Sequence, residues 1–333
     1  MEFGCAFAST PEAAQQAWVA ESLGFDYIGF YDSPALETDV WLTIAEALRS
    51  TQRIRVGTYV LIPHLRTPIT QASAIATLWQ RAPGRLEVAM GTGFTGRMAM
   101  GKRPLSWAFM ERFIGQLRAL LAGEEVEIDG AVQKLIRSPN DPLPEAIDVP
   151  LFVAGNGPKG IDVAKRCGDG LVYYGEPERA PGGFDRLVLP LHGFALEDGE
   201  SATSPRLIEA ARVMFTLQYH LFFDGFSGSR EQLDQLPYGR DWLATIEQLP
   251  ERTRHLRVHE GHMTHVNAHD RAFSERHRDA LEAFARESAL TPGQLGEQID
   301  SLKARGATRI IGGHALPDWE RGLRAFAAAA GLG

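Results

Sequence analysis

Residues 54–93, IRVGTYVLIPHLRTPITQASAIATLWQRAPGRLEVAMGTG, decide the fold. Ile54–Leu61 reads as a strand, Thr70–Gln80 as a helix and Arg85–Met90 as the next strand, so the segment is one strand–helix–strand unit. The same alternation continues in both directions. Upstream, Glu2–Ala8 is a short strand, and Thr10-Pro11-Glu12 opens a helix that stops at Gly24. Phe25–Tyr31 is aromatic and β-branched, the composition of a strand. Asp39–Ser50 carries Val40, Ile44, Ala47 and Leu48 on one helical face. Downstream, Trp107–Leu121, Pro158–Cys167, Arg206–Phe223, Asp241–Gln248, Asp270–Glu287, Pro292–Arg305 and Pro317–Ala330 read as helices. Val149–Ala154, Gly170–Tyr174, Arg186–Ala195 and Thr308–Gly312 read as strands.

Eight strands separated by helices predict an α/β protein, a (β/α)8 TIM barrel formed by residues 1–333 as a single domain with insertions. A doubly wound open sheet is the alternative. The count of eight units, and the lack of a Gly-rich dinucleotide turn after the first strand, favour the barrel. An Asp-Gly turn between short alternating runs marks a hairpin insertion near 124–135. A helical insertion is expected near 205–290.

The chain has 333 residues, 44% of them hydrophobic and 23% charged, a composition that excludes a mainly disordered chain. Lys and Arg number 34 against 42 Asp and Glu, a net charge of −8. That balance argues against a nucleic-acid partner, which needs a basic stripe. No run reaches the ~18 apolar residues of a membrane helix, and MEFGCAFAST lacks the basic and apolar regions of a signal peptide. A cytoplasmic protein with Cys5 and Cys167 as buried free thiols is the expectation.

In such a barrel, function concentrates at the C-terminal strand ends. Tyr31-Asp32-Ser33-Pro34 offers a carboxylate and a hydroxyl there, or simply an N-cap or turn. Met90-Gly91-Thr92-Gly93-Phe94-Thr95-Gly96-Arg97 allows backbone to approach a flat or phosphorylated ligand. It spells a dinucleotide fingerprint, but no helical pattern opens at its third glycine, the next starting near Trp107. Ala154-Gly155-Asn156-Gly157-Pro158-Lys159-Gly160 runs from a strand into a helix with Pro158 at its first position. It reads equally as a phosphate site or as a tight turn. His259-Glu260-Gly261-His262 has the wrong spacing for a zinc motif, so no metal is expected. As a polar loop over the barrel mouth it would contribute His259 and His262 to proton transfer and Glu260 to substrate binding. No Gly-x-Ser-x-Gly elbow and no Cys–His pairing supports a nucleophilic hydrolase.

The runs AESLGFDYIGFYDSP, the 54–93 segment, VPLFVAGNGPKGIDVAKRCGDGLV and LTPGQLGEQIDSLKARGATRIIGGHALPDWERGLRAF resemble the bacterial luciferase-like oxidoreductases. Asp-Ser-Pro after the second strand and GTGFTGRMAMGKRP are similar to methylenetetrahydromethanopterin reductases. The resemblance implies a barrel binding FMN or coenzyme F420 at its C-terminal mouth, and a homodimer. It implies a cis peptide at Tyr59-Val60 supporting the ring, with Gly91, Thr92 and Gly93 lining it. Gly155, Asn156, Gly157, Pro158 and Lys159 would hold the phosphate, and Asp32 would approach the cofactor.

Related deazaflavin sugar-phosphate dehydrogenases carry His and Glu where this chain has Ser33 and Phe94. That departure argues against a sugar-phosphate substrate and suggests an apolar wall of Phe94 and Trp107, with Trp41. Ser33, Phe94, Trp107 and Glu260 are therefore the substrate candidates, and His259 and His262 the substitute proton donors. The leading expectation is a monooxygenase using reduced FMN and O2 on a small apolar or aromatic molecule. An F420-dependent reductase or dehydrogenase is the alternative, and a barrel that has lost its cofactor the third.

Overall fold

Eight short runs of buried residues form the strands of the computed structural model, which describes residues 1–140, 146–223, 230–313 and 318–332. They are β1 (Glu2–Phe7), β2 (Tyr27–Phe30), β3 (Arg55–Leu61), β4 (Leu86–Met90), β5 (Leu151–Ala154), β6 (Gly170–Val172), β7 (Leu187–Leu191) and β8 (Arg309–Gly313). Every neighbouring pair is parallel, and β8 pairs with β1 to close the barrel.

Helices α1 (Ala13–Ser22), α2 (Val40–Ser50), α3 (Pro68–Arg81), α4 (Trp107–Leu121) and α5 (Pro158–Cys167) follow β1 to β5 in turn. Their starts are written locally. Asp39 accepts from the Trp41 and Leu42 amides, Thr67 from Thr70 and Ser106 from Phe109, each satisfying N–H groups the helix leaves unpaired. The outer faces of the strands and the inner faces of the helices make the main core, with Phe30, Ile44, Ile75, Leu86 and Leu117 fully buried. Inside the barrel lie Tyr27, Tyr59, Phe152 and Ile311. The N-terminal end of this interior is polar. Glu87, 2% exposed, accepts from Arg309 at 2.7 and 3.0 Å and from Arg55 at 2.9 Å.

The hairpin insertion is present as Val126–Ile128 against Ala131–Gln133, turning on Asp129 (φ 52°) and Gly130 (φ 78°). The helical insertion comprises α6 (Pro205–Phe223), α7 (Gly239–Glu247), α8 (Ala268–Arg276) and α9 (Arg278–Ser288). It has a core of its own around Phe215, Tyr219, Trp242 and Phe273. The chain then completes the barrel through α10 (Pro292–Ala304), β8 and α11 (Trp319–Ala330).

Three elements differ from the sequence expectation. The strand read over Arg186–Ala195 stops at Leu191; after a turn at His192-Gly193, Phe194–Ala195 pairs instead with Ala289–Leu290. The helix read over Asp270–Glu287 breaks at His277, whose ψ of 50° is not helical. His277 stacks on Tyr238 at 4.0 Å and pairs with Asp241 at 3.2 Å, contacts that a continuous helix would not make there. A five-residue helix, Phe94–Met98, also appears where none was read; it is too short for a periodicity to show. Both cysteines are free, Cys5 buried and Cys167 only partly so. Among the described residues no helix is long and apolar enough to cross a membrane.

Candidate active site

β3 and β4 end side by side at the barrel mouth. The Tyr59-Val60 peptide is cis, and the pairing with β4 shifts between Tyr59 and Leu61. The glycines after β4 make room for this strand end. A Cβ on Gly91 would stand 2.7 Å from Val60 Cγ2, one on Gly93 2.6 Å from Ile62 Cγ2, and one on Gly96 2.5 Å from Ile62 Cδ1. The Gly-x-Gly-x-x-Gly spelling is thus accounted for by close packing of one loop on its neighbour. Thr92, half-buried between them, accepts from the Leu105 amide at 2.9 Å.

Asp32, 2% exposed, accepts from the Ile62 amide at 3.0 Å and from Arg66 at 3.2 Å on each oxygen. Arg66 reaches on to Asp39 at 2.5 Å. Burial raises the Asp32 carboxyl and the Arg66 guanidinium opposes the shift. The geometry makes Asp32 a clamp on the loop that follows Val60. Ser33 lies beneath Gly96, its hydroxyl 3.1 Å from where a Cβ would be. Glu37, absent from the sequence reading, accepts from the Ser9 amide at 3.3 Å. Burial, with the Asp32 charge nearby, pushes its carboxyl up to about 8.

Beside β4, the loop after β5 leads into α5. Gly157 caps the helix in extended geometry and Pro158 takes its first position. A Cβ on Gly157 would meet nothing within 4 Å, so the space above the helix start is open. Asn156 accepts from the Tyr174 amide at 2.8 Å, tying the loop to the end of β6. Lys159 is exposed at the rim. Helix N-termini favour anions through unpaired N–H groups and the helix dipole. Across β4, Arg97 and Lys102 stand close enough to His64 to help burial push its imidazole down to about 4. One guanidinium nitrogen of Arg97 is buried without a hydrogen bond.

A cavity of about 400 Å³ opens over the opposite side of the mouth. It is lined by Tyr31 and Tyr59 from the barrel, Leu191 at the end of β7 and His192 just after it, Met214 and Leu221 of α6, and Trp319 of α11, among others. Most of the wall is carbon.

The other predicted residues fall elsewhere. Trp107 does not face the cavity; its ring fills the space beside Gly155 and Gly160, where Cβ atoms would come within 3.1 and 2.6 Å of it. It packs behind the α5 start, where the two glycines leave room for its ring. Phe94 opens the short helix after Gly93 and is not among the cavity-lining residues. His259 and His262 are not at the mouth either. They stand 6.3 and 6.0 Å, ring to ring, from His220 of α6, beside Trp242 in the core of the insertion. His220 is drawn inward by Asp270 at 2.8 Å, which also accepts from Trp242 at 2.9 Å. Glu260 is on the surface, paired with Arg257 at 3.1 Å. From this turn only Met263 lines the cavity. Among the described residues no group of three or more histidines, cysteines or carboxylates is placed to hold a metal ion.

A family model described as luciferase-like monooxygenase matches residues 6–309. The F420-dependent glucose-6-phosphate dehydrogenase of Beutenbergia cavernae is 35% identical over 173 residues, 46% of this chain and 49% of that protein. The 5,10-methylenetetrahydromethanopterin reductase of Methanolobus tindarius is 32% identical over 179 residues, 52% of this chain and 53% of that protein. The chain thus spans about half the length of these curated relatives. An F420-dependent secondary alcohol dehydrogenase, solved with an F420-acetone adduct, superposes with a TM-score of 0.64 at 18% identity, covering 99% of this chain and 98% of that one. At that identity the likeness is one of fold.

Proposed function

We propose that the chain, which belongs to the luciferase-like monooxygenase family, binds the deazaflavin F420 at its barrel mouth and exchanges a hydride with a small organic substrate. The observation that carries this is the positive rim between β3 and β5. Arg97 and Lys102 both press on His64, and Lys159 stands at the neighbouring helix start. F420 bears a ribityl phosphate and, beyond it, further anionic groups, whereas FMN ends at the phosphate. The curated relatives above are an F420-dependent dehydrogenase and a reductase, which ranks this reading above the reduced-FMN monooxygenase expected first.

The residues present fit the group. Gly155, Asn156, Gly157, Pro158 and Lys159 would take the phosphate, since the space above Gly157 is open. Arg97, whose buried nitrogen lacks a partner, would take the anionic extension with Lys102. Tyr59, Val60, Gly91, Thr92 and Gly93 would flank the ring, and Asp32, clamping the loop behind Val60, positions it. When bound, the deazaflavin supplies a two-electron hydride acceptor or donor. The protein contributes orientation and a dry, carbon-walled cavity for the substrate.

Fluorescence titration of the purified protein with F420 and with FMN tests the reading. Micromolar binding of F420 is expected. Lys159→Ala weakens either cofactor roughly tenfold, at about one charge-assisted contact, Gly157→Val weakens both by filling the space proposed for the phosphate, and Arg97→Ala weakens F420 more than FMN. Gly157→Val changes the melting temperature little, because the added Cβ has no protein atom within 4 Å. Binding of FMN alone would return the monooxygenase to first place. Binding of neither supports the barrel without a cofactor.

A further inference from the structure

The apolar cavity holds few polar groups, and all but one keep a fixed charge state near neutral pH. Arg206 is neutralised by Glu200 and by Asp318 at 2.7 Å, and donates to the Ala195 carbonyl at 3.0 Å. Burial raises the phenols of Tyr31 and Tyr59, so they keep their protons. Gln218 and Ser288 do not titrate. His192 remains. Among the described residues its ring has no hydrogen bond or ion pair; it is exposed to the cavity, and desolvation by the surrounding protein lowers its basicity.

Its place is fixed from both sides. β7 ends one residue before it, and Phe194–Ala195 is paired with Ala289–Leu290 just after. Between them Gly193 turns the chain at φ +115°, where a Cβ would strike Leu290 Cδ1 at 2.4 Å. The imidazole therefore sits at the C-terminal end of a barrel strand, on a cavity that reaches Tyr59 at the cis-peptide edge.

We propose that His192 exchanges the proton of the substrate oxygen, and that the substrate is an uncharged, largely apolar alcohol or ketone. The proposal rests on the deazaflavin reading above. In oxidation, a bound deazaflavin would supply the acceptor for the carbinol hydrogen and its electron pair, while the O–H proton passes to the unprotonated His192 imidazole. The C–O bond becomes a carbonyl. In reduction, the imidazolium returns the proton to the carbonyl oxygen as the hydride arrives at carbon. A phosphorylated substrate has no counter-charge here, because Arg206 is already paired on both sides. The groups that face the cavity and bear on His192 titration are Tyr31 of the β2 end, Tyr59 of β3, Arg206 of α6 and Asp318 before α11. Only His192 among them changes charge near neutral pH.

Two arms test this, using His192→Gln, which keeps a polar group without titration, and His192→Phe, which keeps the bulk. In the first, the protein without cofactor is labelled with ¹⁵N-histidine and titrated with cyclohexanol and, separately, with methylcyclohexane. The resonance missing from His192→Gln identifies His192. It is expected to titrate below 6.5 and to move with cyclohexanol but not with the hydrocarbon. In the second, oxidation of cyclohexanol by the F420-loaded enzyme falls at least about 100-fold in kcat/KM in both variants. The acid limb of the wild-type pH profile disappears, and F420 affinity is unchanged. A His192 resonance indifferent to cyclohexanol, or variants that keep the wild-type pH profile, would overturn the proposal. Failure of F420 to bind the wild type sinks the cofactor reading instead, and the first arm still decides on His192.

Discussion

Replacing Gly91 by alanine tests whether the strand-end glycines exist to receive side chains of β3. The added Cβ would sit 2.7 Å from Val60 Cγ2, about an ångström inside ordinary contact. Its next neighbours, Ala154 Cβ at 3.6 Å and Val60 Cβ at 3.7 Å, are at normal separation. One methyl group therefore carries the whole collision. Valine is stiff at χ1, so that methyl has no low-energy rotamer to escape into. Overpacking of this kind costs about 1–3 kcal/mol. Val60→Ala alone removes two methyls from a half-buried site, at about 1 kcal/mol. In the double variant the collision is gone, so Gly91→Ala should cost almost nothing in the Val60→Ala background. The coupling is then about 1–3 kcal/mol in the stabilising direction, far beyond the additivity error of independent sites. Urea unfolding of the wild type, both single variants and the double variant, followed by circular dichroism, measures it. Costs that simply add, to within about 0.5 kcal/mol, would refute the packing account of the glycines.

Two further outcomes concern charge. Glu87→Gln removes the buried carboxylate shared by Arg309 and Arg55 and leaves them paired with the half-exposed Glu2 alone. The expected loss is about 1–3 kcal/mol of stability with no change in cofactor affinity, since Glu87 lies at the N-terminal end of the barrel; a weakened cofactor would contradict that separation. Glu37, held up to about 8, stays protonated in the fold while the unfolded chain ionises near the ordinary carboxyl value of 4.5. Its contribution is full below 4.5 and is lost as pH rises toward 8. The melting temperature of Glu37→Gln, relative to wild type, should therefore climb between pH 5 and 8.5; a flat difference would show that the carboxyl ionises normally.

Periodic elements were legible because their signals are local. Trp107–Leu121 and Pro158–Cys167 have the bounds read from their caps and faces. Short or interrupted elements were not. Phe94–Met98 is too brief to show a period, and the breaks at His192-Gly193 and His277 depend on partners distant in sequence, Leu290 for one and Tyr238 for the other. Within the site, glycine-rich loops announced themselves by composition. Arg66, Glu37 and His192 did not, because nothing in their neighbouring residues distinguishes them from surface polar groups.

By itself, then, the order of strand and helix patterns determined a closed eight-stranded barrel, and its glycines marked the loops at the mouth. Those properties follow from backbone preference and hydrophobic period, which act over a few residues. Which histidine meets the cavity was decided only by tertiary structure. His259 and His262 were pulled into the insertion beside His220, Asp270 and Trp242. His192 was delivered to the cavity by a glycine turn between two paired strands. Burial and desolvation, which set what an imidazole can do, are properties of the assembled fold and of no single stretch of chain.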